Sequence, residues 1–423
     1  MKKPLVLSLT LGFLMSLALF SQQIFVEESL VINIEVPIRV FDGNTFVDNL
    51  TIDDFEVYED GVLQKIDAVY LINKRTVERS EEKKRFSPDT SRSFFIFFEV
   101  SQYTARLGEA LEYLGNEVIL PGDELIVVTP IKSYKLRDKA LEVTSREDLI
   151  DQLKGIVRKD CLEGDSEYRN TVLDLASLAR AISASMKSGT IDAGPDREAV
   201  EATELDSLSG GASSYAGLEL DEQLMLYQGL LQKLEVLRQV EQMKLMDFAR
   251  LLRTREGQKN VFLFYQKEFI PQVEPQILNA YMSQFQVRPD LVQTIMEVMN
   301  FNFRDITFDV DLVKQAYADS SIAIHFLFVS TPPMRLPGVR LEERSGDIYG
   351  AFSQMARATG GYIDSSANPA ALFRSAVESS ENYYLLYYTP KTYLEGERIF
   401  RNIDVKVKGK NYRILHRAGY YTD

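Results

Sequence analysis

The sequence predicts an α/β chain: a buried, parallel sheet between helices, flanked at both ends by β-strand segments. Three observations predict it. Residues Ser93 to Val100 read Ser-Phe-Phe-Ile-Phe-Phe-Glu-Val, an apolar run that fits a strand covered on both faces. From there to about residue 380, short apolar runs alternate with helical periods, the pattern of a parallel sheet with crossover helices. Residues 29–72 and those beyond Asn382 read as strands with no competing helical period.

The elements follow in order. Lys2 and Lys3 precede an apolar run from Leu5 to Phe20, the pattern of a secretory signal over residues 1–23. The run is short of the roughly 20 apolar residues a membrane span needs. An uncleaved N-terminal anchor is the alternative. Residues 24–73 form a first β segment. Val31, Ile34, Val36, Ile38 and Val40 supply strand formers, and Asp42-Gly43-Asn44 and Glu59-Asp60-Gly61 supply turns. Residues 74–92 are charged, carry Pro88 and read as a linker.

The α/β part then runs over 92–381. After the strand near 94–100 a helix is expected over 104–118, with Leu107, Ala110, Leu111 and Leu114 on one face. Leu125 to Thr129 is a second strand, with Ile131 to Leu136 able to pair with it. Ser145 is placed to cap a helix bearing Leu149, Ile150 and Leu153. Another helix covers about 170–187. Residues 188–218 are rich in Gly, Ser, Ala and Asp and read as a flexible loop, part of an insert near 188–235. Residues 218–255 carry an amphipathic period with no Pro and no interior break except Gly229, predicting one helix roughly 55 Å long. Strands are expected at Asn260–Tyr265 and Ile322–Val329, with a second insert near 269–308 between them. Helices are expected near 347–358 and 368–380. Residues 382–423 form a second β segment. Each terminal segment is too small for its own core, so the two are expected to pack together.

Composition limits function. The 423 residues carry a formal net charge of −14, which argues against nucleic-acid binding through a basic surface. Cys161 is the only cysteine, so no internal disulfide forms, and a small buried hydrophobe is its expected role. His325 and His416 fall in different strands, and no Ser/His/Asp or phosphate-loop constellation occurs. No enzyme activity and no cofactor is expected.

Four segments carry a resemblance. Asp53-Asp54-Phe55-Glu56-Val57-Tyr58-Glu59-Asp60-Gly61, Ala358-Thr359-Gly360-Gly361, Tyr383 to Pro390, and Arg417-Ala418-Gly419-Tyr420-Tyr421 stand in that order. Together they resemble the von Willebrand factor type A-related proteins of acidobacteria and neighbouring phyla. The resemblance implies a Rossmann-like A domain with flanking β segments forming a β-rich, sandwich-like unit, and a protein or cell-surface component as partner. It also implies a metal-ion-dependent adhesion site beginning Asp-x-Ser-x-Ser, completed by a threonine and a distal aspartate around Mg²⁺.

Here the matching positions are degenerate. Glu99 stands for the first aspartate, Ser101 matches the first serine, Tyr103 replaces the second serine, and Gln266 replaces the distal aspartate. Thr171 is a candidate for the threonine. Ser101 is also a candidate helix N-cap, and Glu99 a candidate partner of a backbone donor or Lys267. The edge at Glu99, Ser101, Tyr103 and Gln266 is therefore expected to bind a partner without a metal. The rival readings are Mg²⁺-dependent adhesion through Glu99 and Ser101, and an assembly component that oligomerises through 218–255. The chain is expected to be exported to the periplasm or cell exterior, or held at the envelope. N-terminal sequencing of the exported protein should find a mature chain beginning between Leu19 and Ile24. A chain that still starts at Met1 and partitions with membranes would make it an anchored protein.

Overall fold

The computed structural model describes residues 33–136, 143–189, 215, 217–284, 289–300, 306–330, 336–391 and 398–422. The signal-like segment, most of the 188–218 loop, and the stretches 285–288, 301–305, 331–335 and 392–397 lie outside the described residues. Residues Ile34–Asp423 cluster as one unit.

The chain enters through β1 (Ile34–Asp42), β2 (Thr45–Phe46), β3 (Phe55–Glu59), β4 (Val62–Gln64), β5 (Ile66–Asn73) and β6 (Thr76–Glu82). The α/β part follows as β7 (Arg92–Glu99), α1 (Ala105–Tyr113), β8 (Glu124–Val128), β9 (Ser133–Lys135), α2 (Arg146–Gly164) and α3 (Ser166–Gly189). It continues as α4 (Leu220–Leu237), α5 (Gln242–Arg253), β10 (Gln258–Gln266), β11 (Phe269–Val273), α6 (Pro275–Gln284) and α7 (Pro289–Asn300). Next come α8 (Val310–Asp319), β12 (Ile322–Val329), β13 (Val339–Glu343), α9 (Gly346–Ala358), β14 (Ile363–Ser366) and α10 (Pro369–Glu381). The chain closes with β15 (Asn382–Tyr388), β16 (Phe400–Val407), β17 (Arg413–His416) and β18 (Gly419–Tyr421).

One sheet has the order β14-β12-β10-β7-β8-β9, parallel except for the edge strand β9. Strand order reverses between β7 and β10, which makes their carboxyl ends a switch point. Alternate residues of β7 feed opposite cores. Phe94, Ile96 and Phe98 pack under α1, α2 and α10, while Phe95 packs under α5, α8 and α9. Ser145 caps α2 as its position suggests, accepting from the Asp148 N–H at 3.1 Å. At the opposite end of the sheet Arg92 and Asp123 form a buried pair, with Arg92 Nε donating to Asp123 Oδ1 at 3.1 Å.

The terminal strands interleave. One antiparallel sheet runs β17-β1-β15-β5-β6, and another runs β18-β16-β3-β4. The two meet where Phe55 and Tyr384 stack edge to face, with centroids 5.2 Å apart. Beside them the buried Glu59 carboxylate accepts from the Tyr388 hydroxyl at 2.8 Å and the Tyr420 hydroxyl at 3.0 Å. The same β-rich part is tied to the α/β part. Arg39 Nη1 donates to the Gly360 carbonyl at 3.1 Å, and the Ala418 N–H donates to the Ala358 carbonyl at 2.7 Å. A side chain at Gly361 would put its Cβ 1.7 Å from the Ile324 carbonyl oxygen, so only glycine lets α9 return this close to β12.

Two sequence expectations need correction. The 74–92 linker contains β6, which pairs with β5; its charges lie on an exposed edge strand, where they oppose edge-to-edge association. The single 218–255 helix is two helices, broken after Leu237. There the Arg238 guanidinium turns inward to the Glu268 carboxylate and donates to the Arg344 carbonyl at 2.5 Å. A break made by a tertiary ion pair leaves no Gly or Pro signal. The apolar side chains of the 269–308 insert do pack, together with the described part of the 188–235 insert. There α3, α4, β11, α6 and α7 share a core of their own around Leu178, Ile182, Leu231 and Ile295.

Glu59→Ala should leave two buried phenols without an acceptor and lower stability by about 2–4 kcal/mol. Urea denaturation of the wild type and variant checks this, and Glu59→Gln, which keeps an acceptor, should lose less.

Candidate functional site

The alternation along β7 decides where Glu99 points. Phe95, Phe97 and Glu99 share one face, and that face is not filled near the end of the strand. A cavity of about 440 Å³ lies there, between the sheet and the α4–α5 connection. Its lining includes Phe97, Val261, Leu263 and Tyr265 from the sheet and Val240 and Phe248 above it. Glu99, Ser101, Gln266 and Asp165 line it as well. From Val261 to Gln266 it follows the strand for roughly 17 Å, at about 3.3 Å per residue.

Gln266 holds the loop after β7. Its Oε1 accepts from the Ser101 N–H at 3.0 Å, the Gln102 N–H at 3.2 Å and the Ser101 hydroxyl at 3.3 Å. Arg169 Nη1 braces the same loop from α3, donating to the Ser101 carbonyl at 3.2 Å. One amide oxygen thus collects three donors where a metal site would collect acceptors around a cation.

The structure brings Glu99, Ser101 and Gln266 together and leaves the other candidates elsewhere. Tyr103 packs against the core on the opposite face of the sheet, its hydroxyl lying over Gly108. Its size drives it to the groove beside α1. Thr171 is buried inside α3 and donates its hydroxyl to the Glu167 carbonyl at 2.8 Å, so it cannot complete a metal shell. Ser101 is not a helix cap; Thr104 caps α1, accepting from the Leu107 N–H at 3.3 Å. Lys267 does not pair with Glu99; its ammonium stands 5.1 Å from the centre of the Phe328 ring. His325 is a core residue, stacked on Phe262 at 4.5 Å and accepting from the Tyr362 N–H, with burial holding its pKa well below the ordinary value.

Asp165 is the member that sequence reasoning missed. It lies in the short link between α2 and α3, and no local pattern ties it to Glu99. Burial first, and then the charge of Asp165, push the Glu99 carboxyl up to about 7. Burial also raises Asp165 to about 6, against the pull of Arg169. Glu99 is nonetheless reachable by solvent, because its free surface faces the cavity, while protein crowds its other sides. Cys161 lies fully buried close by, its thiol pushed up to about 12 by burial and the neighbouring acids, which keeps it unreactive.

These residues do not fit Mg²⁺. The ion needs near-octahedral oxygen ligands, whereas the Gln266 oxygen is already held by loop donors and, among the described residues, no second serine or threonine lines the site. Among the described residues no group of three His, Cys, Asp or Glu side chains is arranged to hold a metal ion, and no helix is long and apolar enough to cross a membrane. No family model, curated protein or solved structure matches the chain.

The raised carboxyl of Glu99 has a stability consequence with a definite sign. Its folded value of about 7 lies above the ordinary 4.5, so the folded state binds the proton more tightly. Stability from this group is full below pH 4.5 and is lost as pH rises towards 7. Glu99→Gln should therefore raise stability at pH 8 by about 1 kcal/mol, discounted for the solvent that reaches the group. Thermal melts at pH 8 and pH 4.5 test this; the gain should vanish at the lower pH.

Proposed function

We propose that the chain is an exported, non-enzymatic binding protein of the von Willebrand factor A-related kind. It engages a protein or cell-surface partner at the switch-point edge without a metal ion. The observation that carries this reading is the Gln266 amide oxygen, which holds the backbone and hydroxyl of Ser101 and fixes the loop in one shape. A loop fixed by its own side chain is preorganised, and ordering it on binding costs little.

Other features support the reading. The sheet order reverses at this edge, where open α/β sheets place their ligands. The β9 to β14 order, with β9 antiparallel, is consistent with a Rossmann-like A domain. The resembling segments are tied to one another through Glu59, Tyr388, Tyr420 and Gly360. Lys2, Lys3 and the apolar run behind them support export.

Calorimetry with Mg²⁺ and Mn²⁺ should show no saturable binding, and capture of a partner from an envelope extract should proceed in EDTA. Ser101→Arg, which places a long charge at the loop, should abolish capture while the chain still melts in one cooperative transition. Saturable Mg²⁺ binding that disappears in Glu99→Ala would replace this reading with metal-dependent adhesion.

A further inference from the structure

The cavity behind the loop has a polarity that partner binding at the edge does not use. Along the sheet face its walls are apolar and aromatic, from Val261 and Leu263 to Phe97, Phe248 and Tyr265. At the carboxyl end of β7 it turns acidic, where Glu99 and Asp165 stand. Its volume of about 440 Å³ falls within the roughly 300–1,000 Å³ usual for small-molecule sites.

The other charges around the cavity are committed. Arg238 is tied to Glu268, and Lys244 pairs with Glu241 at 2.8 Å. Lys267 lies against the Phe328 ring. Arg169 directs its guanidinium to the carbonyls of Ser101, Cys161 and Leu162. Among the described residues, the carboxylates of Glu99 and Asp165 have no hydrogen bond and no ion pair. Two acids at one end of an apolar cavity, where Asp165 repels Glu99 and only Asp165 is drawn by Arg169, form a poor environment for an anion. They give a neutral apolar ligand nothing extra. A hydrated divalent cation gains nothing from the apolar walls.

We propose that the cavity binds a small organic ammonium ion carried on an apolar stem, its head held by Glu99 and Asp165 and its stem laid along the sheet face. The head replaces repulsion between two carboxylates with attraction to both. The rings of Phe97 and Tyr265 add a face on which a cation is welcome. The stem buries apolar surface against Val261, Leu263 and Phe248. This rests on the metal-free reading of Glu99, since a coordinated carboxylate would not be open to an amine.

Binding should depend on pH. An alkyl ammonium keeps its proton between pH 5 and pH 8, as lysine does. The carboxyls do not stay ionised: with Glu99 near 7 and Asp165 near 6, both are largely neutral at pH 5. Ammonium binding is therefore strongest at pH 8 and is lost as pH falls through these values. Cys161 stays neutral throughout.

The test is calorimetry or ligand-observed NMR on the full chain in EDTA at pH 8, with 2-phenylethylamine as probe and 2-phenylethanol as its neutral counterpart. The amine should bind at least about tenfold more tightly than the alcohol, lose at least about tenfold on moving to pH 5, and lose part of its advantage over the alcohol in Glu99→Gln, where Asp165 alone remains. Equal binding of amine and alcohol, no amine binding at millimolar concentration, or affinity unchanged between pH 8 and pH 5 would each overturn the proposal. The comparison on the wild type decides the matter even if the variant folds poorly. Mg²⁺ added to a matched sample without EDTA separates the two readings. Mg²⁺ that binds at Glu99 and displaces the amine would overturn the metal-free reading but leave ammonium recognition standing.

Discussion

The structure depends on a buried carboxylate that joins both ends of the chain. Glu59 ends β3, near the N-terminus, and receives hydroxyls from Tyr388 on β15 and Tyr420 on β18. A carboxylate taken out of water is costly unless its lone pairs are met, and two phenols meet them here. The same burial raises the pKa of both tyrosines, so they remain donors. Because the partners come from the far end of the chain, neither terminal segment can satisfy its polar groups without the other. Asp60 and Gly61, both with positive φ, turn the chain directly after Glu59, and Asp60 accepts from the Asn402 N–H at 3.0 Å. The Glu-Asp-Gly segment is thus a turn and an anchor at once.

That anchor sets the frame in which the α/β part sits. Arg39 on β1 and Arg417, in the link between β17 and β18, send their guanidinium groups to the Gly360 and Glu35 carbonyls. The sheet is held at its amino-terminal edge, and its carboxyl edge carries the cavity. Parity does the rest. A strand with aromatic residues on both faces must send Glu99 to the face of Phe95 and Phe97, and there α5 does not descend far enough to fill the space. The cavity is the consequence of a covered sheet whose covering helix begins only at Gln242.

Much of the fold was legible in the sequence. The central strand, the Ser145 cap and the terminal strands follow from apolar runs, a capping residue and period-two alternation, all of which are local. The helix break after Leu237 was not legible, because Arg238 pairs with a residue thirty positions along the chain. The strand at Thr76–Glu82 was hidden by its charges, since an exposed edge strand buries too little to show alternation. The site was legible in part. Glu99, Ser101 and Gln266 stand out because they end buried strands or follow one. Tyr103 was placed by register alone, and its bulk sent it to the other face.

The sequence by itself determined the class of the fold, the parity that aims Glu99, and the lack of a second serine and a distal aspartate at the loop. These are properties of residue type and spacing, which act over a few positions. Only the tertiary structure decided that Gln266 would bind the loop, that Asp165 would face Glu99, and that an apolar cavity would open beneath them. Each of these depends on elements far apart in the chain meeting at one sheet edge. The distances that set hydrogen bonding and charge repulsion exist only once the core on both faces of the sheet has packed.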